Sequence, residues 1–261
     1  MTLVGHELRQ GRTAFLVWTA SIGFLLAVCI FLFPEMKGQM DSVSDIFGSM
    51  GSFSDAFGMD RLNFGTLIGF YAVECGNVLG LGGAFFAALC AAGILEKEEK
   101  DKTAEFLMTH PVSRKRIVTE KLAAVLIQIT ALNVIIYAVA ILSILAVKEP
   151  VPWKELSLLH LAYYLLQLEL AGICFGISAF LRKGSAGVGL GIATMMYFLN
   201  LVANISDSAG FLKYITPFGY CEGADIVADG GLDMVLVAIG VTLGIDGIIV
   251  AYFRYTKKDI H

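Results

Sequence analysis

The chain has 261 residues, of which 57% are hydrophobic and 16% charged, and its formal net charge is −4. A soluble domain carries about 25% charged residues. A mean hydropathy of +0.74 therefore leaves a soluble fold too little polar surface, whereas a bilayer supplies the missing apolar solvent. The small negative charge, without a basic tail or basic amphipathic stripe, argues against nucleic acid as a partner.

The amino end places His6, Arg9 and Arg12 ahead of an apolar run over residues 14–33. This resembles a secretion signal, but the run is long enough to span and no small-residue cleavage site follows, so it reads as a retained helix. Pro34 opens an outer loop to about residue 64, rich in Ser, Gly, Met and Asp. Further spans are expected over about 67–95, 122–147, 158–181, 186–205 and 235–253, with Pro150, Pro152, Pro217 and Gly230-Gly231 between them. The fold class is thus an all-α polytopic membrane protein of six transmembrane helices. The partly apolar stretch 211–220 is expected at the outer interface or dipping into it.

Orientation follows from Lys and Arg, which accumulate on the cytoplasmic side. Fourteen of the 19 fall on one side: Arg9, Arg12, Lys97, Lys100, Lys102, Arg114, Lys115, Arg116, Lys121, Arg182, Lys183, Arg254, Lys257 and Lys258. Both termini are therefore expected in the cytoplasm. Cys29, Cys75, Cys90 and Cys174 lie in apolar runs and behave as small hydrophobes, while Cys221 is expected to be exposed outside. No CxxC is present and the four histidines are scattered, so neither a disulfide framework nor a metal site is expected.

Three carboxylates fall within spans: Glu74, Glu169 and Asp246. A charge at mid-bilayer costs about 2.5–3.5 kcal/mol on insertion scales, so each needs a reason. Glu74 either reaches the outer interface or meets a cationic substrate or a partner. Glu169, with no cation on its own helix, is expected to hydrogen-bond Asn200, Asn204 or a tyrosine of another span. Together with Asp246 these five residues are the candidate pathway positions. No catalytic constellation accompanies them. Glycines four apart, at Gly76/Gly80, Gly172/Gly176, Gly187/Gly191 and Gly240/Gly244, let backbones approach closely, either within the chain or across a dimer face on span two or five.

The inner loop over 96–121 is the informative segment. Its first half is nearly all charge, and residues 103–110 then carry good helix formers that Asp101 or Thr103 could cap and Pro111 would end. Ser113 is expected to restart a helix leading into span three. Phe106, Leu107 and Met108 make an apolar knob in a charged frame, which suits docking to another protein or rest in lipid headgroups. Glu98, Thr103-Ala-Glu105-Phe-Leu107, Pro111-Val112-Ser113-Arg114 and Lys121 together resemble the inner loop of the membrane subunits of type-two ABC exporters. The run His6-Glu7-Leu8-Arg9-Gln10-Gly11-Arg12 ahead of Trp18 is similar to that family's short amphipathic N-terminal helix. Tyr214-Ile-Thr-Pro217-Phe218-Gly-Tyr220 is similar to its Ser-Pro-Phe-type step before the last span. Lys102, where the family usually has Gly, and Met108, where it often has Leu, depart from the pattern.

The resemblance implies that residues 1–261 form one permease domain, half of an exporter in the bacterial cytoplasmic membrane. A coupling helix containing Glu98, Thr103, Glu105, Phe106, Leu107, Met108, Pro111, Val112, Ser113 and Arg114 would engage a separate, dimeric cytoplasmic ATPase. That ATPase would carry the ATP and Mg, leaving this chain without a cofactor. In agreement, no GxxxxGK[ST] is present; the nearest text, Arg182-Lys183-Gly184-Ser185, lacks the first glycine. A second permease subunit, identical or related, would complete the pathway for a hydrophobic or amphipathic small molecule or peptide of drug or antimicrobial type. Two other readings stay open. One is a secondary transporter or ion-coupled channel using Glu169 and Asp246 as proton sites. The other is an intramembrane enzyme using the same pair.

Overall fold

A computed structural model describes residues 3–38, 51–97, 113–181 and 185–257. The described residues are helical with short turns and no strand. Helix α1 spans Leu3–Lys37. A short α2 at Ser52–Phe57 and a 3₁₀ turn at Met59–Arg61 follow. The second span is α3 (Leu67–Cys75), a π-helical turn (Gly76–Leu81) and α4 (Gly82–Ala92). Then come α5 (Arg114–Ala146), α6 (Trp153–Ser178) and α7 (Ser185–Ile205). Two 3₁₀ helices, Asp207–Tyr214 and Pro217–Tyr220, lead to α8 (Gly223–Asp229) and α9 (Met234–Lys257). Among the described residues, six helices, α3 through α4 counted as one, are long and apolar enough to cross a membrane, and they overlap the six places expected from the sequence.

The second span and α6 form the buried middle of the bundle, while α1, α7 and α9 expose most of their surfaces. Helix α1 packs along α5, α9 along α6, and α4 lies between α6 and α7. The faces turned outward carry Leu16, Phe24, Phe31, Met195, Phe198, Ile249 and Phe253. Such faces suit hydrocarbon and not water.

The glycine pairs separate by role. On α6, Gly172 and Gly176 meet the backbone of Gly244 and Gly247 on α9, so a side chain at any of them would strike backbone. Gly76 and Gly80 make room for the Tyr163 ring, and Gly240 for the Glu169 carboxylate. Gly187 and Gly191 of α7 face open space.

Three expectations change. The amphipathic amino end is not a separate short helix: residues 3–13 are the first turns of α1, because nothing between Gly11 and Ala14 breaks the helix. That helix also continues through Pro34 to Lys37, where Lys37 pairs with Glu149 at 2.7 Å and lies over the Phe33 ring. Cys221 is buried, not exposed, because the 3₁₀ step before it folds inward and its backbone carbonyl accepts a hydrogen bond from Tyr163 Oη at 3.0 Å. The stretch 211–220 is mixed, with Phe218 and Tyr220 in the core and Phe211, Tyr214 and Ile215 exposed.

Candidate functional site

Functional groups gather at the two ends of the bundle. At one end, called proximal, the roots of the inner loop are fastened to the first and last helices. Glu98, Thr103, Glu105, Phe106, Leu107, Met108, Pro111 and Val112 lie outside the described residues, as do Arg182 and Lys183, but both flanks of the loop are present. On the returning flank, the Ser113 hydroxyl accepts the Arg116 amide at 3.3 Å, the N-cap expected from sequence. Arg114 donates to the Thr256 carbonyl at 3.4 Å, and Thr119 meets the Tyr252 hydroxyl at 2.7 Å, joining α5 to the end of α9.

Deeper, the ammonium of fully buried Lys121 donates to Glu7 Oε1 at 3.0 Å and to the Ile94 carbonyl at 2.6 Å. Lys97 donates to the other Glu7 oxygen at 3.1 Å. Glu7 thus bridges the outgoing and returning flanks from α1, and Glu120 also accepts the Val4 amide at 3.4 Å. An amphipathic cavity of about 250 Å³ lies alongside, between α1, α4 and α5, with Glu7, Lys97 and Gln128 among apolar walls that include Trp18 and Phe86.

At the opposite, distal end, the π-helical turn, α7 and the segment before α8 enclose a smaller polar pocket of about 50 Å³. A π-helical turn inserts an extra residue and re-aims the side chains around it, and such turns recur at functional sites. Here it presents Gly76 and Asn77 to the pocket, and the Tyr197 hydroxyl donates to Asn77 Oδ1 at 3.3 Å. Glu222, 8% exposed, sits in the wall, and its Oε2 accepts from Asn204 Nδ2 at 2.7 Å. The same amide nitrogen donates to the Ala56 carbonyl at 3.2 Å, tying α2 to α7. Asn200, 7% exposed, also lines the pocket, and among the described residues its Oδ1 has no hydrogen-bond partner. Burial holds the Glu222 carboxyl above the ordinary carboxylate range. The Asn204 hydrogen bond opposes that, Asp225 adds to it, and Arg61 and Lys213 oppose it more weakly.

The five pathway candidates do not converge. Asn200 and Asn204 meet at the distal pocket. Glu74 accepts a contact from Cys29 Sγ at 3.6 Å on the α1 side. Glu169 bonds neither asparagine: it is buried over Gly240, with Tyr220 beside it. Asp246 is exposed on α9. It lies two residues, about 200° of helical turn, from Gly244, which packs on α6, so it points away from Glu169. An enzyme needing both carboxylates at one reacting atom has no such site here. Among the described residues, no group of three His, Cys, Asp or Glu side chains could hold a metal ion.

Two functional residues escaped sequence reasoning, Glu7 as the bridge and Glu222 as the distal acid. Glu7 was legible in principle, since Glu7, Gly11, Ala14 and Trp18 follow helical spacing on one face. Glu222 sits in a loop and carried no such signal.

Among the described residues, a bundle of six apolar helices with ion pairs at both ends and a small pocket at one is that of a multi-pass membrane protein. A family model described as ABC-2 family transporter protein matches residues 1–260, and the chain belongs to that family. Compared with curated proteins one by one, it matches none. Membership makes the chain the membrane component of an ABC transporter, a transport part and not itself the catalyst.

Proposed function

We propose that the chain is one permease domain of an ATP-driven exporter, with both termini and the proximal end in the cytoplasm. It would move a hydrophobic or amphipathic small molecule or peptide, of drug or antimicrobial type, outward across a bacterial cytoplasmic membrane. The power comes from a separate, dimeric ABC ATPase that binds ATP and Mg, and a second permease subunit completes the pathway. The family supports the class of machine, and the excess of Lys and Arg at the proximal end supports the orientation.

The observation that carries the reading is the Glu7 bridge. Lys97 and Ser113 are the described residues that flank the inner loop. The Lys97–Glu7–Lys121 cluster and the Ile94 carbonyl lock those flanks to one another and to α1, while Arg114 ties them to α9. A push on the loop is thus delivered to several spans, as a coupling element requires. Glu98, Thr103, Glu105, Pro111 and Val112 would shape that element, and Phe106, Leu107 and Met108 would seat in the ATPase.

Purification tests it. A cytoplasmic ATPase should accompany the chain in mild detergent and be lost on Phe106→Asp or Leu107→Asp, with ATP-dependent export lost in parallel. Retention of both complex and export would refute the coupling assignment.

A further inference from the structure

Several hydrogen-bond donors around the distal pocket are already committed. Asn204 Nδ2 is committed to Glu222 and Ala56, Tyr197 Oη to Asn77 Oδ1, and Tyr163 Oη to the Cys221 carbonyl. Two acceptors stand at its wall beside the Asn77 and Asn200 amide nitrogens: the Glu222 carboxylate and Asn200 Oδ1, the latter buried without a partner among the described residues. A buried acceptor left unmade costs about 1–3 kcal/mol, so a donor is missing. The walls include four aromatic residues, Phe57, Tyr163, Tyr197 and Phe218, a residue type that favours a cation over a neutral donor.

Charge and size narrow the class. Among the described residues, Glu222 is the one carboxylate lining the pocket, and nearby Asp225 pairs with Arg61. Hard divalent ions prefer six or more oxygen ligands, commonly with several carboxylates. A space of about 50 Å³ holds a few water-sized groups and not a whole amphipathic molecule. A group with three donors and no acceptor, carried on a tail that leaves through the pocket mouth, matches what is offered.

We propose that this pocket is a receptor for a primary ammonium group, held by Glu222 and Asn200 and walled by Tyr163, Tyr197 and Phe218. Within the exporter reading, the group belongs either to a transported amphipathic amine or to a small free amine from outside. The site itself is a property of this chain alone, so its binding is measured without the ATPase, and loss of coupling and loss of the site are separate results.

Calorimetric titration of the full chain in phosphatidylcholine nanodiscs tests it, with methylammonium and dodecylammonium as probes and butanol and sodium chloride as controls. Saturable amine binding is expected that weakens at least about tenfold in Glu222→Gln, the scale of a lost charge-assisted hydrogen bond, and tightens in Asn200→Asp. Asn200→Asp keeps the test alive if Glu222→Gln fails to fold. If the part of dodecylammonium binding lost in Glu222→Gln is tenfold tighter than that of methylammonium, the head belongs to an amphipathic molecule. Equal affinities assign a small free amine. Butanol binding as well as the amines, sodium displacing them at equal concentration, or no saturable heat in either protein would overturn the proposal and leave a water pocket.

Discussion

Lys121 and Glu222 are both buried charges, and their surroundings treat them oppositely. Lys121 receives a carboxylate and a carbonyl at bonding distance, so its burial is compensated. Removing one member of such a pair costs about 3–5 kcal/mol, because the other is left uncompensated, whereas replacing both is often near neutral. Lys121→Met should therefore cost about 3 kcal/mol in denaturant unfolding, since Lys97 still supports Glu7, and Glu7→Gln with Lys121→Met should recover most of that loss. Among the described residues Glu222 receives one amide donor, and burial raises its pKa above its ordinary value of 4.5. The native state then binds its proton more tightly than the unfolded chain. The stabilising contribution is full below pH about 4.5 and is lost as pH rises through the higher folded value. Thermal unfolding of Glu222→Gln should lack that decline, a difference read by comparing its pH profile with the parent protein's. Arg61, Lys213 and Asp225 are present in both proteins, so the comparison isolates Glu222.

At the scale of elements, the helix crossings divide into those fixed within the chain and one left open. Helices α6 and α9 meet backbone to backbone at Gly172, Gly176, Gly244 and Gly247. Gly244→Leu must push the helices apart, and it should lower the unfolding midpoint by an amount typical of overpacking, about 1–3 kcal/mol. Gly187→Leu and Gly191→Leu meet nothing within 4 Å and should leave monomer stability within about 0.5 kcal/mol. If α7 faces the second permease, the same two substitutions should reduce cross-linking between subunits. Helical starts and stops were largely readable from residues: Ser113 as a cap and the apolar run up to Ala146 follow from local chemistry. The π-helical turn at Gly76–Leu81 was not. No residue there forbids an ordinary α-helix, and what holds the extra residue is the Tyr163 ring seated on Gly76 and Gly80.

At the scale of the molecule, the two ends are built differently. The proximal end gathers two cations on one carboxylate, Glu7, whereas the distal end holds separate pairs, Lys37–Glu149 and Arg61–Asp225, and short helices over a small pocket. A reporter fused after His261 should signal cytoplasm, and an outside signal would invert the assignment of both ends. Asp246, exposed on α9, faces the bilayer unless another subunit covers it. Asp246→Leu should leave unfolding of the single chain unharmed or improved, since a mid-span charge disfavours insertion. Loss of export in a variant that stays folded would place Asp246 at a contact of the assembled transporter.

By itself the sequence determined six apolar helices, their order and the charged loop between the second and third. These are one-dimensional properties: a span needs about twenty apolar residues wherever its neighbours lie. Tertiary structure decided which polar residues meet. Glu7 joins Lys97 and Lys121 across about a hundred residues of chain, Asn204 finds Glu222, and Glu169 and Asp246 turn to different faces. Hydrophobicity sorts residues into the membrane without ranking partners inside it. Close packing at glycine crossings and the need of each buried polar group for a counterpart select those partners, and both act only once the helices are assembled.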